Sequence, residues 1–372
     1  MKYQRALLLA IAVTASASAC AQSAITLYGI VDTGVEFFTH ASPTGGTMVR
    51  FPMISGGDLP SRWGLRGEED LGGGLKTIFT LESGFATSTG TSLQNGRLFG
   101  RQSFVGLKGA WGQLTAGRQM NMTIYGMADA DVIGPAAFSI GSFDPYLAAA
   151  RSDNSVEYRG KFEDLTVGVS YSFGRDGLPA SNCGGQLPGD MISCRAITAM
   201  LKYDRPNWGA ALIYDEQRGG AGATAITVVP GLPGVAFTNS GDTDRRYQAN
   251  GYFLVGRVKV GGGWLHREIN GNVQTVRTDL TYLGVSIPFD AWIVVAQISH
   301  IKNDSYDANG TLGVVRANYF LSKRTAVYGL LSYMKNSGSG AVYSVSSSSV
   351  VPAIPAPGIG QAGAMVGIRQ LF

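Results

Sequence analysis

Short segments in which apolar and polar residues alternate recur about every twenty residues along this chain and run on to its last residue, Phe372. A period of two puts neighbouring side chains on opposite faces of a β-strand. Leu165 to Phe173 shows it most clearly. Leu165, Val167, Val169, Tyr171 and Phe173 share one face, and Thr166, Gly168, Ser170 and Ser172 share the other. In Arg62-Trp63-Gly64-Leu65-Arg66 the apolar Trp63 and Leu65 lie opposite both arginines. In Lys76 to Phe85, Thr77, Phe79 and Leu81 oppose Lys76, Thr80 and Glu82. The final segment, Ala362 to Phe372, sets Ala364, Val366, Ile368 and Phe372 against Arg369. Further segments of this kind lie at 25–37, 101–108, 113–118, 155–162, 196–205, 209–218, 245–256, 257–270, 277–289, 291–303, 311–322 and 325–336. Together they predict about sixteen strands, an even number.

The connections differ in length in a patterned way. Short turns occur at Leu71-Gly72-Gly73-Gly74, Ala110-Trp111-Gly112, Glu163-Asp164, Pro206-Asn207 and Lys323-Arg324, and long polar ones near 39–60, 86–99, 119–151, 174–195, 219–244 and 337–361. Short turns on one side and long loops on the other are the habit of membrane barrels. No run of about 18 apolar residues after Val31 can make a membrane helix. No amphipathic helix offers the crossovers of an α/β enzyme, and the uneven spacing lacks the fixed repeat of a solenoid. A sandwich needs a dry core, yet the face opposite the apolar one carries Arg, Lys, Asn and Glu. The fold class is therefore all-β: an antiparallel transmembrane β-barrel with its apolar face to lipid.

Sixteen strands enclose water, where eight would fill with side chains. A barrel of that girth with polar inward positions is a pore, limited by whatever folds into it. The 119–151 connection is the candidate. It begins Gln119-Met120-Asn121-Met122-Thr123-Ile124-Tyr125, contains Asp129 and Asp131, and ends at Arg151. Its bulky apolar groups suit a loop packed on the barrel wall, whereas a loop that merely covers the mouth is the plainer alternative.

Composition sharpens this picture. Of 372 residues 15% are charged and 45% hydrophobic, with 52 glycines, against roughly 25% charged and 7% glycine in soluble domains. The amino terminus reads as a secretory signal: Lys2 and Arg5, then apolar Ala6 to Val13, then Ala19-Cys20-Ala21. Cleavage is expected between Ala21 and Gln22, dividing the chain into a signal at 1–21 and a barrel at 22–372. Lipoprotein-type cleavage before Cys20 is a rival, disfavoured because Ala17-Ser18-Ala19 lacks the usual leucine. Loss of Lys2 and Arg5 takes the 30 basic residues to 28, against 26 acidic ones, which is no nucleic-acid footprint. Cys183 and Cys194 remain in a polar stretch of an exported chain and predict a loop-closing disulfide. Metal binding by two cysteines without a nearby His is the weaker reading.

Four stretches carry a family resemblance: Gln22-Ser23-Ala24-Ile25-Thr26-Leu27-Tyr28-Gly29-Ile30-Val31-Asp32, Ser61 to Lys76, Gly100 to Leu107, and Val366 to Phe372. In combination they resemble the general porins of Gram-negative beta-proteobacteria, of the Neisseria and Burkholderia type, over the whole mature chain. The resemblance implies a 16-stranded homotrimeric diffusion channel in outer-membrane lipid, with its third external loop folded inward as a constriction. It also implies that the terminal Phe372 is read by the barrel-assembly machinery. Matched by position, Arg62, Arg101 and Arg151 form the row of wall arginines, with Asp129 and Asp131 opposite on the loop. Arginine suits that task, being always charged and planar. Arg62 and Arg101 as wall struts paired with nearby carboxylates is the bland alternative, and Arg66 and Arg118 are less specific candidates. Three arginines against two carboxylates lean the pore towards weak anion selectivity.

Enzyme chemistry finds little footing. His40, His266 and His300 are scattered, and a serine partner for His266 would have to be Ser286 or Ser299. Gly72-Gly73-Gly74-Leu75-Lys76-Thr77 lacks the Gly-Lys adjacency of a phosphate loop. Asp242-Thr243-Asp244 is half a calcium loop and is expected to be a solvated turn. No enzyme activity, cofactor or metal is implied. The expected function is passive diffusion of ions and small hydrophilic solutes. The alternative is a channel selective for an organic anion or sugar, which an aromatic track would favour; inward Tyr252 has no convincing series beside it.

Overall fold

A computed structural model describes residues 24–52, 56–177, 183–347 and 353–372. The expected signal and its cleavage site at Ala21 and Gln22 lie outside the described residues. Among the described residues, seventeen strands form one closed antiparallel sheet. They are β1 (Ala24–Ser42), β2 (Gly45–Arg50), β3 (Arg62–Gly72), β4 (Leu75–Gly84), β5 (Gln102–Gly109), β6 (Gly112–Met120), β7 (Arg151–Phe162), β8 (Leu165–Ser172) and β9 (Ala196–Arg205). The second half comprises β10 (Trp208–Arg218), β11 (Thr243–Val255), β12 (Val258–Asn270), β13 (Thr275–Phe289), β14 (Trp292–Lys302), β15 (Asn309–Phe320), β16 (Thr325–Ser337) and β17 (Gln361–Leu371). β1 pairs with both β2 and β3, each strand from β3 onwards pairs with the next, and β1 closes the ring against β17, with Ile30 opposite Leu371 and Phe38 opposite Gly363.

The wall has sixteen positions rather than seventeen. β3 pairs with the first half of β1 and β2 with its far end, so the two share one place beside it. This corrects the reading of 39–60 as a plain loop: β1 runs on to Ser42, and Gly45–Arg50 returns as a short strand. The other fifteen alternating segments each match a strand to within a few residues. Connections at the end nearest Gly72 are uniformly short. At the opposite end three are short as well, 43–44, 271–274 and 303–308, and the rest are long.

Face assignment follows the alternation. Leu212, Leu283, Leu331 and Val366 are 61, 59, 66 and 67% exposed, whereas their neighbours Ile213, Tyr282, Leu330 and Met365 are buried. Such an apolar exterior is tolerable only in lipid. The closure also needs a glycine: a Cβ on Gly29 would stand 2.3 Å from the Phe372 ring. Gly29 and Phe372 exchange two backbone hydrogen bonds of 3.1 Å, so the last residue seals the first strand.

The largest apolar cluster lies inside the wall. Phe138, Ile140 and Phe143 meet Val228 and Phe237 of the 219–242 connection, and Tyr343 and Val345 of the connection after β16. Wall residues such as Leu265, Leu280, Val295 and Leu330 complete it, so part of the inner face that the sequence marked as polar is dry.

Cys183 and Cys194 form a disulfide with Cα atoms 4.9 Å apart. It packs with Ala223 at the loop end of β8 and β9. Reduction is expected to leave single-channel conductance within about 10–20%, because the bridge constrains a local loop rather than the wall. A large loss of current on adding reductant would place that loop in the permeation path.

Candidate functional site

Arg62 opens β3, Arg101 immediately precedes β5, and Arg151 opens β7. All three lie at the loop end of the wall with their side chains on its inner face, and they are close enough to repel one another. The carboxylate they meet belongs to the wall. Glu82 on β4 accepts from Arg101 Nε at 2.6 Å and from the Tyr28 hydroxyl at 3.0 Å, with Arg62 Nε 3.6 Å away. Among the described residues Arg151 has no carboxylate partner. Its Nη1 donates to the Ala149 carbonyl at 3.1 Å, and its Nε is unpaired. Arg118 donates to Asp153 at 2.5 Å and to the Gly100 carbonyl at 2.7 Å, while Arg66 stacks over Tyr28.

The 121–150 segment begins at Asn121, whose side chain accepts from Thr123 N and caps a short helix, α1 (Met122–Met127). Its polar contacts run to β9 and β10, a few places along the ring, and to β15 on the far side. Met122 N donates to Thr198 on β9, and Thr123 Oγ1 donates to Asp215 on β10 at 2.6 Å. Arg316 on β15 donates to the Ile133 carbonyl at 2.8 Å. Every one of those wall residues sits on the face opposite Leu201, Leu212 and Val315, which are exposed.

Of the two loop carboxylates expected to oppose the arginines, Asp129 is engaged elsewhere, whereas Asp131 reaches the edge of the cavity that Arg101 and Arg151 bound. Asp129 pairs with Lys202 on β9 and, at 3.3 Å, with Lys259 on β12. Asp131 is buried and accepts from Gln297 Nε2 at 2.9 Å. Burial pushes the Asp131 carboxyl up to about 6, against the opposing hydrogen bond from Gln297. Such a group adds to stability while protonated, and the contribution is lost as pH rises through about 6. Asp131→Asn keeps the shape without the charge. Its melting temperature in detergent is expected to match that of the unaltered protein near pH 4, to pull ahead as pH rises to about 6, and to keep a constant lead above that. Equal melting temperatures at pH 8 would show that Asp131 is not buried.

Two clusters went unread in the sequence. In the first, Asp144 meets Arg246 at 2.8 Å and Arg267 at 3.5 Å, and Asp244 meets the same two arginines at 3.1 and 2.8 Å. Burial alone would raise the Asp144 carboxyl, but Arg246 and Arg267 outweigh it and hold it down at about 2. Tyr146 lies under Arg246, 4.4 Å from ring to guanidinium, and donates to Asp215 at 2.7 Å. This corrects the view of Asp242-Thr243-Asp244 as a solvated turn, since Asp244 is only 1% exposed. Strand parity was the missed signal: Asp244, Arg246 and Gln248 alternate on the inner face of β11.

In the second cluster, residues 56–61 turn onto the inner face of the wall. Asp32 accepts from the backbone N–H groups of Gly57 and Leu59, each at 2.9 Å. Asp58 lies between Arg369 and Arg316, the latter at 2.7 Å, and accepts from Asn318. The Gly57 carbonyl accepts from Ala137 N at 2.9 Å, joining this turn to the 121–150 segment. The remaining chemical candidates are structural. His266 meets Asp279 at 3.0 Å on the outer wall, while Ser299 is buried on the other face. Gly72, Gly73 and Gly74 have positive φ angles of 86, 62 and 80° and make a turn.

A closed sixteen-position barrel with an apolar exterior and a charged interior is a channel across an outer membrane. The comparisons agree. The chain belongs to the Gram-negative porin family, whose model matches residues 6–339. It is 32% identical over 357 residues to an outer membrane porin protein of Bordetella pertussis, covering 86% of this chain and 91% of that one. Outer membrane porin protein 32 of Delftia acidovorans is 30% identical over 388 residues, covering 98 and 99%. Among solved structures, an anion-selective porin from Comamonas acidovorans superposes with a TM-score of 0.76 at 25% identity, over 94% of this chain and all of that one. The protein is thus an outer-membrane porin, a passive channel for small solutes.

Proposed function

We propose that this porin is a weakly anion-selective diffusion pore whose waist lies between the 119–151 connection and the arginine-bearing wall, with no chemical step in transport. One observation carries the reading: Arg62, Arg101 and Arg151 converge on the inner wall with a single carboxylate, Glu82, among them. Asp129 is offset by Lys202 and Lys259, so Asp131, held by the neutral Gln297, is the one loop carboxylate that sets a charge against the three arginines. Unbalanced guanidinium groups in a narrow lumen raise the local concentration of anions. The likeness to a porin described as anion-selective points the same way.

We also infer a homotrimer. Its support is a shallow apolar depression on the outer wall, where Ala317 and Gly329 lie low beside Tyr319, Val327 and Val366. The exposed Phe372 is the expected recognition signal for the assembly machinery. The test is a planar-bilayer recording in a tenfold potassium chloride gradient. The reversal potential should move towards the chloride equilibrium value, with conductance steps in threes. A potassium-directed reversal would overturn the anion preference, and an electrically silent membrane would overturn the pore.

A further inference from the structure

The side of the waist facing the arginines is not polar. Between 133 and 149 the polar side chains are already engaged within the protein, and of them only Ser139 reaches the space between loop and wall. Ser139 accepts from Gly141 N, Ser142 donates to the Val345 carbonyl, Asp144 meets Arg246, and the Tyr146 hydroxyl reaches Asp215. What remains towards the wall is apolar. Two cavities of about 150 and 160 Å³ lie between loop and wall, and both are bounded by Pro60, Arg101, Pro135, Ala148 and Arg151. The first continues over Met120, Ile124, Met127 and Leu147. Asp131 and Ser139 reach its edge with side chains almost wholly buried and already hydrogen-bonded.

A solute in this gap meets guanidinium groups on one flank and hydrocarbon on the other. Chloride gains only from the first. A sugar leaves hydroxyls unpaired against the second, a costly arrangement. A dicarboxylate must press one of its charges against the apolar flank. A single carboxylate on a compact apolar body gains from both. An apolar space of about 150 Å³ takes a benzene ring, and pockets of this kind commonly pair an apolar lining with a few placed polar groups.

We propose that the waist is a binding step for monocarboxylates with a compact apolar body, short aliphatic or aromatic acids, with the carboxylate on Arg151 and Arg101 and the body against Ile124, Pro135, Leu147 and Ala148. This deepens the anion-selective reading and rests on it. Arg151 is the anchor, because it alone of the three arginines has no carboxylate beside it among the described residues. Ala148 and Pro135 form the surface on which the apolar body slides.

The test uses the full-length protein in planar bilayers carrying a chloride current, with propanoate, butanoate, pentanoate, hexanoate or benzoate added at millimolar concentration. Half-inhibition should fall about two- to threefold per added methylene, short of the roughly fourfold that complete burial gives. Succinate should inhibit less than pentanoate. Ile124→Gln and Pro135→Ser should flatten the chain-length series, while Arg151→Gln should weaken every acid by a similar factor and keep the slope. A flat series in a channel that still prefers anions overturns this proposal and leaves the pore reading standing. So does succinate inhibiting as well as pentanoate. Loss of anion preference in the unaltered channel overturns the underlying reading instead. The series on the unaltered protein decides the matter if a variant does not assemble.

Discussion

Replacing Arg62, Arg101 and Arg151 together by glutamine is expected to turn an anion-preferring channel into a cation-preferring one. The three guanidinium groups leave, and Glu82, which held two of them, stays as the unbalanced charge. One charge acting on an ion 10 Å away in water is worth about 0.4 kcal/mol. Three such charges act with opposite sign on potassium and chloride, so after screening over one Debye length the permeability ratio should change by about fivefold at 0.1 M salt. The change should shrink at 1 M, where the screening length falls to about 3 Å. Reversal potentials of the triple variant in a salt gradient check both points. A reversal potential that does not move would remove these arginines from the waist. Arg151→Gln alone should give a smaller shift of the same sign, leaving the Glu82 pairings intact.

Arg246→Met should loosen the 121–150 segment from the wall. Arg246 is 1% exposed and joins Asp144, on the segment, to Asp244, on its own strand. Removing one partner of a buried ion pair costs about 3–5 kcal/mol, because the charges left behind are uncompensated. Arg267 remains and can hold both aspartates in part, which places the expectation near the lower end. The readouts are a lower unfolding midpoint in denaturant and flickering single-channel current. Adding Asp144→Asn should recover part of the loss, since neighbours in one network do not add. An unaltered midpoint together with quiet current would mean that the segment is held without this cluster.

Most of the wall was legible in the chain because a strand states its two faces residue by residue. Leu165 to Phe173 or Ala362 to Phe372 can be divided into lipid-facing and lumen-facing sets without any partner strand. The same parity placed Arg62 inside. It also held the Asp244, Arg246 and Gln248 row on β11, which went unread because Asp242-Thr243-Asp244 looked like a turn. Irregular segments carry no such period. Gly45–Arg50 was lost within a polar stretch, and nothing local shows that Asp58, 258 residues before Arg316 and 311 before Arg369, turns inward to both.

The chain by itself determined a barrel of sixteen positions, its apolar exterior, its export, its pairing of Cys183 with Cys194 and its likeness to porins. Each is written in local alternation, composition or short motifs. Only the tertiary structure decided which charges confront one another. Asp129 and Asp131 could both have faced the arginines on any reading of their spacing. Instead Lys202 and Lys259 took Asp129, Asp131 kept the neutral Gln297 at the cavity edge, and Glu82 took the arginines. A buried charge takes whichever opposite charge lies within a few ångströms once the ring has closed, and sequence distance says nothing about that.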